Sequence, residues 1–159
     1  MTDNNPPTPL DELDRLLQQN HQWAHSVAEA QPITLPATVC GCIEKAEDVD
    51  FFKFKVEAGQ SFVFHVRSQR LQDRIHDLQA HSDPILTIRN AQGSTIAAAD
   101  NVFHGDPFLC HRFDQAGEYL LEMRDVRYNG NQYWEYAVEI HSRPFARSVG
   151  SVSAFALIG

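Results

Sequence analysis

Several signals that would assign this 159-residue chain to a broad class are missing from its sequence. It has no run of about eighteen apolar residues, so we expect no membrane-spanning helix. Its 13 basic residues against 21 acidic ones give a net charge of −8, and they form no basic stripe interleaved with aromatic residues. The charge pattern therefore argues against a nucleic-acid partner.

Signals for export and for catalysis are missing as well. The first seven residues are polar and acidic rather than a signal peptide, so we expect either a cytosolic protein or a segment of a longer chain. The sequence contains no Gly-x-Ser-x-Gly elbow, no His-Glu-x-x-His motif and no glycine-rich phosphate loop. These absences predict a protein that is not an enzyme.

Cysteine is scarce, with three residues in the chain. Cys40 and Cys42 lie two apart on a predicted strand and share one of its faces, whereas Cys110 is distant in sequence. A disulfide from Cys110 to either of the others would leave one thiol over, so the sequence does not fix the redox state. The spacing favours buried apolar thiols over a zinc site.

What the sequence does contain is ten phenylalanines, of which Phe52, Phe54, Phe62 and Phe64 stand in strand-like alternation. Residues 1–30 are interpreted as a polar tail followed by an amphipathic helix that begins near Thr8. From residue 31 onward the apolar period changes to two, and about eight strands are expected up to residue 142. This pattern predicts an all-β, jelly-roll-like antiparallel sandwich. Residues 143–159 form either a last strand or the start of a following segment.

The same alternation predicts the core and the turns. The side chains expected to point inward are Phe52, Phe54, Phe62, Phe64, Leu86, Ile88, Tyr119, Leu121, Trp134, Tyr136 and Val138. Residues 57–60 and 129–131 each predict a β-hairpin, because glycine or Asn-Gly separates two alternating runs. Residues 90–93 and 114–117 predict further turns.

The order and spacing of these segments resemble the bacterial pre-peptidase C-terminal (PPC) domain family, in the variant found in large exported multidomain proteins. The resemblance spans residues 31–141 and rests on Pro32-Ile33-Thr34-Leu35-Pro36, Gly41-Cys42-Ile43, Glu47-Asp48-Val49-Asp50-Phe51-Phe52-Lys53-Phe54, Glu57-Ala58-Gly59-Gln60, Asp83-Pro84-Ile85-Leu86-Thr87-Ile88, Ala116-Gly117-Glu118-Tyr119 and the strand from Tyr133 to Ile140. It implies a β-sandwich that is an accessory or binding module of an extracellular or periplasmic bacterial protein. Such a module would bind a protein or polysaccharide, or would stabilise or help to secrete a neighbouring domain.

The resemblance also raises the question of calcium, because some members of the family bind collagen and hold this ion. Their Glu-Pro-Asn-Asp-like segment corresponds here to residues 22–25, which lack that motif. Only Asp48 and Asp50 remain, and calcium prefers six to eight oxygen ligands, so we expect no strong calcium site there. A second oxygen-rich segment provides the remaining metal candidates, Asp100, Asn101 and Asp106, for which turn chemistry is the favoured interpretation.

Two further groups of residues are functional candidates. A polar loop carries His76, Asp77, His81 and Asp83, which could hold a transition metal but are better explained by ordinary loop hydrogen bonds. A binding surface is predicted from Tyr128, Tyr133, Arg124 and Arg127, since tyrosine rings offer apolar area with a hydroxyl and arginines pair with polar groups. Two alternatives stay open, namely an assembly subunit that docks through the N-terminal helix and a metal-dependent hydrolase that uses the histidine loops.

Overall fold

The computed structural model describes residues 27–72 and 80–142. Within them ten strands form two five-stranded sheets, so the prediction of an all-β sandwich is confirmed. The strands are β1 (Gln31–Pro32), β2 (Ala37–Cys42), β3 (Val49–Val56), β4 (Ser61–Arg67), β5 (Pro84–Asn90), β6 (Thr95–Ala99), β7 (Asn101–Phe103), β8 (Asp106–Arg112), β9 (Gly117–Asp125) and β10 (Glu135–His141).

Helix is scarce in the same regions. A 3-10 helix spans Val27–Glu29, and a short α-helix, α1, spans Gln69–Gln72. Most of the predicted N-terminal helix, and the predicted C-terminal segment at 143–159, lie outside the described residues. The docking role suggested for that helix therefore stays a prediction.

The first sheet has the strand order β1-β3-β9-β5-β6, and the second has the order β2-β10-β4-β8-β7. Between them lies one core, and all eleven side chains predicted to point inward are buried in it. Phe54 is central, because its ring centroid lies 5.9 Å from that of Phe64, 5.8 Å from that of Phe113 and 6.2 Å from that of Tyr119. Aromatic contacts thus join the two sheets, and three of these four rings, those of Phe54, Phe64 and Tyr119, were predicted to point inward.

The connections differ from the prediction. Residues 57–60 do not close a hairpin, because β3 pairs with β9 in the first sheet while β4 pairs with β8 and β10 in the second. The same holds for residues 129–131, which lie between β9 of the first sheet and β10 of the second. Both hairpin predictions are therefore wrong. Residues 90–93 do turn the chain between the paired strands β5 and β6, as predicted.

Gly130 has a packing role in place of the predicted hairpin role. A side chain there would place its Cβ 2.1 Å from the main-chain oxygen of Lys45. This glycine lets the β9–β10 connection lie directly on the backbone of the loop that precedes β3.

All three cysteines are free thiols in this structure. Strands β10 and β4 separate β2, which carries Cys40 and Cys42, from β8, which carries Cys110. Three strand spacings amount to about 14 Å, whereas the Cα atoms of a disulfide lie within about 7 Å. A bridge to Cys110 within this fold would therefore require the second sheet to be rebuilt.

Candidate functional site

Three of the four predicted binding residues, Arg127, Tyr128 and Tyr133, lie in the connection between β9 and β10, residues 126–134, which we call the tyrosine connection. The fourth, Arg124, lies just before it on β9. The tyrosine connection lies along residues 43–47, and main-chain hydrogen bonds hold it there. These bonds run from Glu47 N–H to the Tyr128 oxygen (2.9 Å), from Asn131 N–H to the Ile43 oxygen (2.8 Å) and from Ile43 N–H to the Trp134 oxygen (3.0 Å). The connection is thus fixed to its neighbour along most of its length.

Asp125, which is fully buried at the end of β9, fixes the start of this connection. Its Oδ1 accepts hydrogen bonds from the main-chain N–H groups of Arg127 at 2.8 Å and Asn129 at 3.2 Å. Its Oδ2 accepts another from the N–H of Asp83 at 2.8 Å. A carboxylate that accepts several N–H groups is a strong local clamp, so the turn has a defined shape before any ligand arrives.

Two tyrosines project from this fixed backbone. Tyr128 is 46% exposed and Tyr133 is 52% exposed. Elsewhere in the described ranges the exposed large hydrophobic residues are Val27 and Ile96, neither of which is aromatic. Tyr128 has a φ of 56°, a left-handed conformation that non-glycine residues seldom adopt. Sequence reasoning predicted the exposure of both rings but not this backbone conformation.

The two predicted arginines occupy different environments. Arg124, on β9, lies 4.3 Å from the centroid of the Tyr128 ring and bonds the main-chain oxygen of Asp125 at 3.0 Å. Its Nε also lies 3.2 Å from the buried carboxylate of Glu122, which Arg89 contacts from the other side at 2.5 Å. Arg124 therefore supports Tyr128 from beneath through a cation–π contact, rather than projecting toward a ligand.

Arg127 lies in the connection itself, two residues beyond the end of β9. Its side chain is 64% exposed, and its guanidinium lies 3.7 Å from a carboxylate oxygen of Asp83. An exposed pair at this distance contributes little to stability, so the guanidinium can exchange Asp83 for a ligand group. Of the two predicted arginines, Arg127 is therefore the one that suits contact with a ligand.

The first pair of metal candidates lies at the start of β3. Asp48 is buried and accepts a hydrogen bond from the N–H of Glu44 at 2.8 Å. Asp50 accepts one from the hydroxyl of Tyr136 at 2.5 Å. Burial raises the pKa of Asp50 to about 7, and the negative charges of Asp48 and Glu44 add to this although the Tyr136 bond opposes it. One oxygen of Asp50 is thus engaged by Tyr136, and two carboxylates fall short of the six to eight oxygen ligands that calcium prefers.

In the second set of metal candidates, Asn101 and Asp106 form hydrogen bonds within the fold. Asn101 donates from its side-chain amide to the carboxylate of Asp83 at 3.1 Å. Asp106 is fully buried and accepts hydrogen bonds from the N–H groups of Ser68 at 3.0 Å and Gln69 at 2.8 Å, which begin α1. Its other oxygen pairs with Nε of Arg70 at 2.8 Å. Asp106 is therefore a helix cap and a buried ion-pair partner.

Across residues 27–72 and 80–142, no three His, Cys, Asp or Glu side chains group so as to hold a metal ion. Asp100 is exposed, as is His81. The loop residues His76 and Asp77 lie outside the described ranges, so the histidine-loop hypothesis is untested.

A buried polar cluster next to α1 was not predicted. The Oγ atoms of Ser68 and Ser82 lie 2.8 Å apart, and the amide nitrogen of Gln72 donates to both, at 3.0 and 2.8 Å. The Gln72 amide oxygen also accepts the N–H of Ser82 at 2.9 Å. No sequence pattern marks this cluster, because Ser82 lies ten and fourteen positions from its two partners and such a separation carries no periodicity.

The described nucleophiles are poorly suited to covalent chemistry. Burial raises the pKa of the Cys42 thiol to about 12, so this thiol is protonated at neutral pH. Loss of hydration also raises the pKa of Cys40 and Cys110. The hydroxyl of Ser68 is engaged by Ser82 and by the main-chain oxygen of Glu135 at 3.1 Å.

Comparison with known proteins finds solved structures that resemble this chain at low sequence identity. No family model matches the chain, and no curated protein matches it. Among solved structures, the pre-peptidase C-terminal domain of a collagenase from Bacillus anthracis is 15% identical, with a TM-score of 0.49 over 70% of this chain and 94% of that one.

Two further solved structures resemble the chain to a similar degree. PliG of Aeromonas hydrophila, a periplasmic inhibitor of g-type lysozyme, is 16% identical, with a TM-score of 0.44 over 70% of this chain and 99% of that one. The mitogen derived from Yersinia pseudotuberculosis is 14% identical, with a TM-score of 0.46 over 71% of this chain and 90% of that one. At these identities no activity carries over, and membership of the PPC family stays a prediction. In the described part of the chain, no helix has the length and apolar character that a membrane crossing requires.

Proposed function

We propose that this chain is a non-catalytic binding module that contacts a partner protein through the tyrosine connection. One observation carries the proposal, which is that Tyr128 and Tyr133 are exposed on a backbone segment clamped at both ends. Tyrosine and arginine are enriched at the centres of protein interfaces, where they contribute most of the binding energy. A preordered segment also loses less conformational entropy when it binds.

The non-catalytic part of the proposal is supported by the state of the described nucleophiles. The thiol of Cys42 is protonated at neutral pH, and the Ser68 hydroxyl is held inside a structural network. A catalytic group needs a base within reach and an activated nucleophile, and neither residue meets that requirement. An extracellular or periplasmic location belongs to the same proposal and follows the sequence resemblance.

Retention on immobilised matrices tests the proposal. The purified chain would be passed over gelatin, casein, cellulose, chitin and peptidoglycan, and cleavage of each would be assayed in parallel. We expect retention on at least one protein matrix and cleavage of none. A Tyr128→Asn, Tyr133→Ala double variant should weaken that retention about tenfold or more, as for hot-spot residues. Asparagine is chosen at position 128 because it tolerates the left-handed backbone.

Ile96→Ala is the matched control. Ile96 is also an exposed large hydrophobic residue, but it lies on β6, the last strand in the order of the first sheet. Its removal should leave retention unchanged. Retention on polysaccharide alone would reject the protein partner, and equal losses in the control and the double variant would reject the tyrosine connection as the contact. Cleavage that survives purification and is lost in His81→Ala or His104→Ala would reject the non-catalytic assignment.

A further inference from the structure

The edge of the first sheet is only half covered. Strand β1 is two residues long and pairs in parallel with β3, with Gln31 opposite Phe52 and Pro32 opposite Lys53. The last hydrogen bond of this pairing runs from the N–H of Ile33 to the main-chain oxygen of Lys53 at 2.9 Å. Beyond it β3 continues to Val56, while the chain after Ile33 goes on to β2 in the other sheet.

In the part of β3 beyond this pairing, Lys55 presents an open edge. Main-chain groups of a strand point to alternate sides, so the N–H and C=O of Lys55 point to the same side as those of Lys53, away from β9. No hydrogen bond to either group is found in the regions that the structure describes. An open edge of this kind is a template for pairing with another strand.

A groove of about 490 Å³ lies along this edge. One wall is formed by residues 32–35, whose Ile33 and Leu35 pack against the core, and the other is formed by residues 53–55 together with Glu118. Its volume is within the usual range for ligand sites, and apolar walls beside open main-chain groups suit an extended peptide.

The charge of the groove indicates the sign of the charge that its ligand should carry. Lys53 and Lys55 both line it, and neither ammonium group has an ion pair within residues 27–72 and 80–142. Glu118 stands opposite Lys55 in the β3–β9 pair and offsets one of the two charges. The groove thus keeps a net positive charge in a chain whose total charge is −8.

We propose that this groove binds an extended acidic peptide of a partner protein, which adds as a strand to β3 beside β1. The N–H and C=O of Lys55 would form the main-chain hydrogen bonds. Ile33 and Leu35 would receive the side chains on one face of the peptide, and the two lysines would attract its acidic residues. This site is separate from the tyrosine connection, so each proposal can fail without the other.

The test uses a fluorescent peptide of about seven residues that alternates valine and glutamate, with a valine–lysine peptide of the same length as its charge-reversed counterpart. Anisotropy would measure binding to the full chain, and amide hydrogen exchange would report on Lys55. We expect binding of the acidic peptide, and slowing of the Lys55 amide exchange by about tenfold or more, because an open amide becomes hydrogen-bonded. Equal binding of the basic peptide, or binding without protection of Lys55, would overturn the proposal.

Two single variants make the test site-specific. Lys55→Glu should weaken binding about tenfold, whereas Lys45→Glu should leave it unchanged, because Lys45 is an exposed lysine that does not line the groove. Both variants keep the strand residues of the core, and circular dichroism would check that they fold. Equal effects of the two variants, or no binding of the acidic peptide at millimolar concentration, would reject the groove as a peptide site.

Discussion

The hydroxyl of Tyr136 donates a hydrogen bond of 2.5 Å to the carboxylate of Asp50. Tyr136 belongs to β10 and Asp50 to β3, so this bond joins the two sheets across an otherwise apolar core. Gly41, which pairs with Tyr136 across β2 and β10, leaves room for the phenol ring. Polar pairs placed in a core in this way fix the relative position of the elements that carry them.

Stability should therefore depend on pH through Asp50. Burial raises its pKa from 3.8 to about 7 in the folded state, so its protonated form is favoured by folding. Its contribution is fully present below about pH 4 and is lost as the pH rises through about 7. When the pH is raised from 5 to 8, Asp50→Asn should lose less stability than the parent, by about 3 kcal/mol, as measured by urea unfolding. The exposed control Asp114→Asn should keep the parent's dependence, and an equal dependence in Asp50→Asn would contradict the prediction.

Gly41 should tolerate no side chain. A Cβ at this position would lie 2.4 Å from the Tyr136 hydroxyl oxygen and 2.5 Å from the ring carbon that bears it. Gly41→Ala must displace a buried ring, and overpacking of this kind costs about 1–3 kcal/mol. Gly117→Ala is the control, because its nearest neighbour lies at 4.0 Å. Thermal melts of the two variants that shift by the same amount would disprove the steric argument.

Asp106 should be essential for the segment around α1. Asp106→Ala removes two caps and the buried partner of Arg70, and losing one side of a buried ion pair costs about 3–5 kcal/mol. Asp106→Asn keeps an oxygen for the caps and should cost less. The measurement is the free energy of unfolding in urea. A cost below about 1 kcal/mol for the alanine variant would contradict this role.

Calcium should have little effect on stability. An ion that binds only the folded state would add about 2.7 kcal/mol at a hundredfold excess over its Kd. We expect melting curves in millimolar calcium and in chelator to coincide, because Tyr136 engages the carboxyl of Asp50 and the main-chain N–H of Glu44 engages that of Asp48. A rise of several degrees that Asp48→Ala abolishes and Asp114→Ala does not would restore a calcium site at the start of β3.

Much of the core could be predicted from the sequence, because the alternation of apolar and polar residues within each strand shows which of its faces is buried. The alternation of Phe52, Phe54 and Val56 marks one face of a strand, and burying that face is the main favourable contribution to folding. The exposure of Tyr133 could be predicted for the same reason, since it lies on the face of the predicted strand opposite to Trp134 and Tyr136. That of Tyr128 could be predicted because it adjoins the turn residues 129–131.

The pairing of strands and the role of buried polar groups could not be predicted. A glycine turn such as 57–60 reverses the chain whether the next strand joins the same sheet or the opposite one, and both arrangements give the same alternation. Which sheet each strand joins depends on its distant partners. The partner of β3 is β9, which lies more than sixty residues further along the chain. Asp106 likewise looked like a turn residue, because the N–H groups that it caps lie 37 and 38 residues away.

Strand β10 has a consequence for the order in which the protein can assemble. It lies between β2 and β4 and pairs with both, although it is made last of all the described strands. A growing chain therefore carries two strands that lack their common neighbour until residues 135–141 have been synthesised. Folding that waits for such distant contacts is slow, and incomplete chains with unpaired strands tend to aggregate. The two sheets of the described residues are thus completed by the last strand among them to be made, rather than built up along the chain.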